Sequence, residues 1–553
     1  MQYIPYSVYN SDPNPSVNFP KASHTIKLYN NDFKNGTVRI KSSTNVLFAE
    51  DVVFDPIGFN QENQTYEPHK SANASEYTDK AYHLGFFAAI TVEANNVDID
   101  LNEKKLSQSD MHRLHQRFIA LIELGSQPFI VGQGPGNFGT SALFPTNVTI
   151  KNGILGSNAH HGIHGNNNDS ITIQNIIFED FEVAGIALNA ATNCNISNCH
   201  LRMNNSTVFV NALFSAAIFA SRFCHKILAN NAINNYSRTQ ISDALAKLDE
   251  LITYVITYNC SEKLKFMPGF QLMAEASDLF FNKNLDIDGN VYGIILHDKG
   301  VAIGPFLTAL PSPFKTSNNA ISNIVIENIS ATVDEVIGLS TTANINGYGT
   351  GPFNDFTANV IDFELIVNNQ QQYKGNVLSN VQMLIADLLN VNSPNKDQAI
   401  ITMKTNNEIG IMNIPGFISD WAKNKTKITD VITQNNLKKC FFVDSMNHRN
   451  KGVIGIRVSG ASNTTINKIY IKNVTNNGLN TKYVDINNPY TGHNTYGIHA
   501  SACSNITLNT ISVNNCVSKN GTVYGIHIEN TTGYSITGQT GNAPNLVSVV
   551  NST

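Results

Sequence analysis

The chain has 553 residues, of which 42% are hydrophobic and 14% charged, and its formal charge is −5. That length is far above the size at which one compact core stops growing. The charge balance offers neither a basic surplus for nucleic acid nor an acidic tail, and seven cysteines without a CxxC pair argue against a full disulfide framework.

Residues 1–30 are rich in Pro, Tyr and Asn and lack periodicity, so they read as an irregular arm. Met1–Tyr6 has no basic n-region and begins no apolar h-region, so no signal peptide is expected. No apolar run approaches the ~20 residues of a membrane span, so no transmembrane segment is expected either. Short strands are expected at Thr37–Ile40, Asn45–Phe48, Phe87–Glu93 and Val97–Leu101, with a polar loop over 58–80. Ser109–Phe118 reads as a short helix capped by Ser109 or Asp110, with His112 and His115 on a solvated face. Residues 1–140 together are expected to form an arm and a cap, because the end of a stacked array exposes strand edges. Gln127–Gly139 is glycine-rich but lacks the Lys-Ser/Thr of a phosphate loop, so it reads as turns.

A repeated unit is visible from residue 145. Gly162-Ile163-His164 precedes Ser170-Ile171-Thr172-Ile173, and Gly185-Ile186-Ala187-Leu188 precedes Asn193-Cys194-Asn195-Ile196. Residues 141–337 are therefore expected to be stacked coils. A helical insertion is expected over 239–258, where apolar residues at 241, 245, 248, 252 and 255 make a stripe. Tyr292-Gly293-Ile294 and Ile324–Ile329 continue the coils around a Pro/Gly-containing excursion, Asp298–Asn319. Residues 338–450 are the least regular part, an insertion or a side domain, with Val377–Leu389 and Phe417–Ala422 helical in pattern.

The unit returns three times over 451–540. Gly455-Ile456-Arg457 leads to Ser462-Asn463-Thr464, Gly497-Ile498-His499 to Ser504-Asn505-Ile506, and Gly525-Ile526-His527 to Tyr534-Ser535-Ile536. In the first two, an asparagine falls eight residues after the glycine, the spacing that also places Ser170 and Asn193. A short strand with period-2 alternation cannot bury its apolar face alone, but stacked copies can. The abundant asparagines suit left-handed turns and can align into ladders. Residues 541–553 read as a polar tail whose apolar run, Leu546–Val550, caps the last coil or adds to a neighbouring subunit.

These coils resemble the right-handed parallel β-helix repeats of the pectin-lyase-like superfamily, best over 145–200 and 450–540. The resemblance implies an all-β fold, a right-handed single-stranded parallel β-helix with helical and loop insertions. The Asn/Ile/Lys usage and the Tyr/Pro-rich arm also resemble β-helix proteins of large DNA viruses. The superfamily spans pectate lyases, polygalacturonases, epimerases, phage tailspikes and non-catalytic surface proteins, so its fold does not choose an activity. The polygalacturonase-like motif set is missing: there is no Asp-Asp pair, and His161-Gly162 matches its His-Gly only trivially. The clustered aspartates of calcium-dependent lyases are missing too. Asp286, Asp288 and Asp298 are the nearest acidic set, and no pattern fixes them on adjacent coils. Calcium is open to the chain but unsupported, so no cofactor and no metal site are expected.

Alternation makes one sharper expectation. If Ile498 points inward, His499 points outward, and so do Arg457 and His527 on neighbouring coils. Two residues further on come Ser459, Ser501 and Glu529. Strands ~4.8 Å apart would align Arg457, His499 and His527 in a column with Glu529 beside it. Such a row suits hydrogen bonding to a sugar chain or acid–base work near neutrality, although outward positions must in any case be filled by something polar. His161 and His164, in the densest histidine cluster, and the adjacent pair His297 and Asp298 are secondary candidates. The resulting expectation is a structural or surface protein at a virion or extracellular surface. Its partners would be other structural proteins, copies of itself in a trimer, or glycans, with no nucleic acid. The alternative is a polysaccharide lyase, glycoside hydrolase or epimerase.

Overall fold

The computed structural model describes residues 24–60, 65–68, 87–109, 112–113, 116, 119–125, 143–204, 291–298, 316–330, 364–367, 370–374, 452–476, 494–518 and 521–552. Two long sheets carry the described coils. The ten-stranded sheet runs Val38–Ile40, Phe87–Val92, Ile119–Leu124, His161–Asn166, Ala184–Asn189, Val291–His297, Val453–Ser459, Thr495–Ser501, Val523–Glu529 and Asn545–Val550. Every neighbouring pair in it is parallel. A fifteen-stranded sheet follows the same order, from Thr25–Leu28 to Thr532–Thr537. The chain visits both sheets once per coil, and parallel crossovers of this kind are right-handed. The fold is an all-β right-handed parallel β-helix.

The alternation explains why these residues stack. Ile163, Ile186, Ile294, Ile456, Ile498 and Ile526 share one register column and are all fully buried. Opposite them, Ile150, Ile173, Ile196, Ile321, Ile466 and Leu508 line up from the other sheet. Burying each such side chain stabilises the fold by roughly 1.5–3 kcal/mol. The glycine before each inward isoleucine has a steric cause: a Cβ on Gly455 or Gly497 would lie 2.5 Å from the glycine carbonyl oxygen of the next coil.

The polar residue eight positions on is the corner between the sheets. Ser170, Asn193, Asn463 and Asn505 all have φ between 49° and 59°, in the left-handed region that asparagine tolerates. Their side chains stack as well: Asn505 Nδ2 donates to Asn463 Oδ1 at 3.0 Å, Asn463 to Asn318 at 3.1 Å, and Asn318 to Asn193 at 3.3 Å. The register crosses both long sequence gaps without a break, since Ala184 pairs with Tyr292 and Val291 with Val453. Cys194, Cys199, Cys503 and Cys516 are free and buried.

The expected helical insertions require correction. No helix of seven residues or longer occurs among the described residues; the longest helical piece is a 3-10 segment, Asn30–Asn35. It tucks Phe33 against Phe48 and Phe54 and closes the first coil. Within Ser109–Phe118 the described residues His112 and Arg113 are helical, with the Arg113 amide donating to the Ser109 carbonyl at 2.9 Å and the Gln116 amide to the His112 carbonyl at 2.7 Å. The Ser109 hydroxyl accepts from the His112 amide at 3.0 Å, as an N-cap does, but Gln108 draws the segment inward by bonding His112 Nδ1 and the Gln116 carbonyl. His112 is therefore fully buried rather than solvated, and burial drops its pKa to about 3. The segments 239–258, 377–389 and 417–422, the turns of 127–139, and His115 lie outside the described residues. The 58–80 loop begins instead as an antiparallel pair, Ile57–Asn60 with Thr65–Pro68, and Asn545–Val550 of the expected tail is a strand of the last coil. No helix among the described residues is long and apolar enough to cross a membrane.

Candidate functional site

Register places Arg457 beside His499 and His499 beside His527 on three adjacent strands of the ten-stranded sheet, facing away from the core column. Ser459, Ser501 and Glu529 form the next outward column. Arg457 Nη1 donates to His499 Nδ1, and Arg457 Nη2 donates to Ser501 Oγ at 2.8 Å. His499 must then carry its proton on Nε2, which donates to Glu529 Oε1 at 3.0 Å. His527 Nδ1 meets Ser548 Oγ at 3.2 Å, while its Nε2 lies 3.8 Å from Glu529 Oε2, beyond hydrogen-bond distance.

Outward does not mean exposed here. His499 and His527 are only 8% accessible, because tyrosines cover them. Tyr496 stacks on His499 at 4.5 Å and on Tyr524 at 5.1 Å, and Tyr524 packs on His527 at 4.6 Å. Glu529, with a side chain 35% accessible, is the open edge of the group. Burial, opposed by Glu529 and helped by Arg457, lowers the His499 pKa to about 4. Burial also lowers that of His527. The His499 hydrogen bond, with both histidines and Arg457 adding to it, holds the Glu529 carboxyl down at about 2. Burial raises the Tyr496 phenol, which accepts from Asn494 Nδ2 at 3.0 Å. At neutral pH the group thus holds the Glu529 carboxylate, two neutral imidazoles and the protonated Tyr496 phenol.

His499, His527 and Glu529 place one ligand atom each within 4.8 Å of one another, close enough to converge on a metal ion. The hydrogen bonds disfavour that use. A ligating nitrogen needs its lone pair, and Arg457 forces the proton of His499 onto the nitrogen that faces the other two donors.

The secondary candidates lie elsewhere on the same face. His164 Nδ1 bonds Glu123 Oε2 at 2.7 Å, and its Nε2 meets Asn189 Nδ2 at 3.3 Å. His161 stacks on His164 at 5.0 Å and meets His160 Nδ1 at 3.1 Å. All of these side chains are buried; burial raises the Glu123 pKa and lowers that of His161 well below the usual range. His297 Nδ1 is 3.3 Å from Asp298 Oδ1, and His297 shares the register column of Ser459, Ser501 and Glu529. Between the two histidine clusters the outward positions are apolar and buried: Ala184, Ala187, Tyr292, Ile295 and Ile454.

Sequence reasoning did not single out Tyr496, Tyr524, Glu123 or Asn189. Alternation alone would have turned the tyrosines inward, since each lies two residues before an inward isoleucine; their packing on the outward histidines shows that it breaks at the glycine between. Glu123 sits within an apolar run, Ile119–Leu124, and only register shows its partner.

No family model and no curated protein sequence matches the chain. Among solved structures it is similar to an alginate lyase from Paenibacillus sp. str. FPU-7, at 9% identity and a TM-score of 0.28, covering 96% of this chain and 100% of that one. It is similar to PfbA, a surface adhesin of Streptococcus pneumoniae, at 9% identity and a TM-score of 0.33, covering 94% and 73%. It is also similar to a mannuronan C-5 epimerase A-module of Azotobacter vinelandii, at 6% identity and a TM-score of 0.24, covering 96% and 84%. At these scores no activity transfers, and none of the three supports a viral source. The β-helix itself rests on the strand register.

Proposed function

We propose that the Arg457–His499–His527–Glu529 face handles an acidic polysaccharide and moves a proton on it. The observation that carries this reading is the convergence of those four groups with two stacked tyrosines on three adjacent strands. Glycoside hydrolysis needs two carboxyl groups flanking one bond. Among the described residues this cluster holds one, Glu529; Asp298 follows a strand three places away in the sheet. Proton abstraction beside a uronate carboxylate needs instead a cation, a neutral base and an acid. Arg457 supplies the charge that favours a carboxylate substrate. Neutral His527 is the base, with Nδ1–H given to Ser548 and Nε2 open toward the rim. His499 is a positioning residue, tying Arg457 to Glu529.

In the step, His527 takes the proton from the carbon bearing the carboxylate. The electron pair forms a double bond to the neighbouring carbon as the bond to the leaving sugar oxygen breaks, and Tyr524 returns a proton to that oxygen. Returning a proton to the same carbon from the other side would give inversion instead. A surface or extracellular location suits such a substrate.

One observation favours the non-catalytic surface reading: Arg457 is already bonded to His499 and Ser501, as a purely structural ladder would be. A panel of acidic and neutral polysaccharides separates the two, read by ultraviolet absorbance of new unsaturated ends and by exchange of the substrate C–H with solvent. Turnover on acidic chains that is lost in His527→Ala and Tyr524→Phe supports the proposal. Binding or co-assembly without turnover or exchange leaves the scaffold reading.

A further inference from the structure

The two ends of the described coils are built differently. At the first coil Phe33 plugs the core, and Leu28, Ile40 and Phe48 beneath it are buried. The strands and turns there carry Lys27, Asp32, Lys34, Arg39, Glu50 and Asp51. At the other end no described residue plugs the core in this way. Val547 and Val549 pair in register with Ile526 and Ile528, which are fully buried, yet the two valines are each 39% accessible and Val550 is 44% accessible. Asn545–Val550 is the terminal strand of the ten-stranded sheet among the described residues, and one of its edges has no strand neighbour among them. Residues 531–553 contain no Asp, Glu, Lys, Arg or His. Exposed edges are ordinarily guarded by charge or proline against pairing with another chain, and this strand has neither.

We propose that this end is a self-association surface, occupied by the same strand of a second copy in antiparallel register about a two-fold axis. An antiparallel pair of identical strands is related by such an axis, so the interface is isologous and closes at two chains. A residue at or near a two-fold axis meets its own copy, so any charge there would repel itself; a charge-free strand is suited to that position. The plugged and charged first coil does not offer a head-to-tail partner. The inference is independent of the proposed activity.

Sedimentation equilibrium of the full chain tests it. The expected result is a concentration-dependent mass twice the 60.5 kDa of one chain. Val549→Lys should return the single-chain mass with an unchanged far-ultraviolet circular dichroism spectrum. Should that variant misfold, Val550→Lys introduces the charge at an outward position instead. Hydrogen exchange on the unaltered protein gives a variant-free readout, with amides of Asn545–Val550 slowing as concentration rises. A single-chain mass throughout, a trimer, an open-ended polymer, a dimer indifferent to the lysines in folded variants, or exchange unaffected by concentration overturns the proposal.

Discussion

Acidification should weaken the fold through His499 in a calculable way. Its pKa falls from an ordinary 6.5 to about 4 in the folded protein, burial being the largest cause. Between those values the unfolded chain binds the proton and the folded chain does not, so stability falls as pH is lowered. Integrating one such group from about pH 7 to about pH 4.5 gives a loss of about 2 kcal/mol. Glu529 acts in the same direction at lower pH: its carboxyl is held at about 2 from an ordinary 4.5, so its contribution is full above 4.5 and lost as pH falls toward 2. The assay is urea denaturation at a series of pH values, for the natural chain and for His499→Gln, which does not titrate. The natural chain should lose about 2 kcal/mol more than the variant over that window. Equal pH dependence in the two proteins would refute the reasoning, since it would mean that His499 accepts its proton in the fold as easily as in water.

Other expectations follow from packing. Gly497→Ala places a Cβ 2.5 Å from the Gly525 carbonyl oxygen and 2.8 Å from Val513 methyl groups. Overpacking of this kind costs about 1–3 kcal/mol, to be read as a lower urea midpoint. Asn463→Ala removes two ladder hydrogen bonds and leaves alanine at a φ of 49°, at a cost of about 1–2 kcal/mol. Asn463→Gly keeps the turn and should cost less, and the difference between the two variants in thermal denaturation isolates the backbone part. Ile498→Ala should cost about 2–5 kcal/mol, because its column has coils on both sides and cannot collapse onto a neighbour.

Much of the architecture was legible because it is local. Gly-Ile-x and the asparagine eight residues on report a close approach to the next coil and a left-handed corner, and both requirements recur at the same place in each coil. The outward placement of Arg457, His499 and His527 followed from alternation for the same reason. The burial of His499 and His527 was not legible, since it depends on Tyr496 and Tyr524 each lying over the histidine three residues on in its own strand. At Ser109–Phe118 His112 and Arg113 are helical as expected, but the solvated face expected for His112 was wrong because Gln108 bonds His112 and the Gln116 carbonyl, a contact that a periodic stripe cannot report. For the tail the sequence left two placements open, and the structure takes the cap on the last coil. Leu546–Val550 looks like an isolated apolar run until Ile526 and Ile528 are seen beneath it.

The most direct measurement of the proposed activity is deuterium incorporation into an acidic polysaccharide incubated with the protein in heavy water, followed by nuclear magnetic resonance. The account predicts deuterium appearing at the carbon bearing the carboxylate, or disappearance of that C–H with a new unsaturated end. Both should be abolished in His527→Ala and strongly reduced in Arg457→Gln. Unchanged substrate with the natural protein, or equal exchange with His527→Ala, would contradict it.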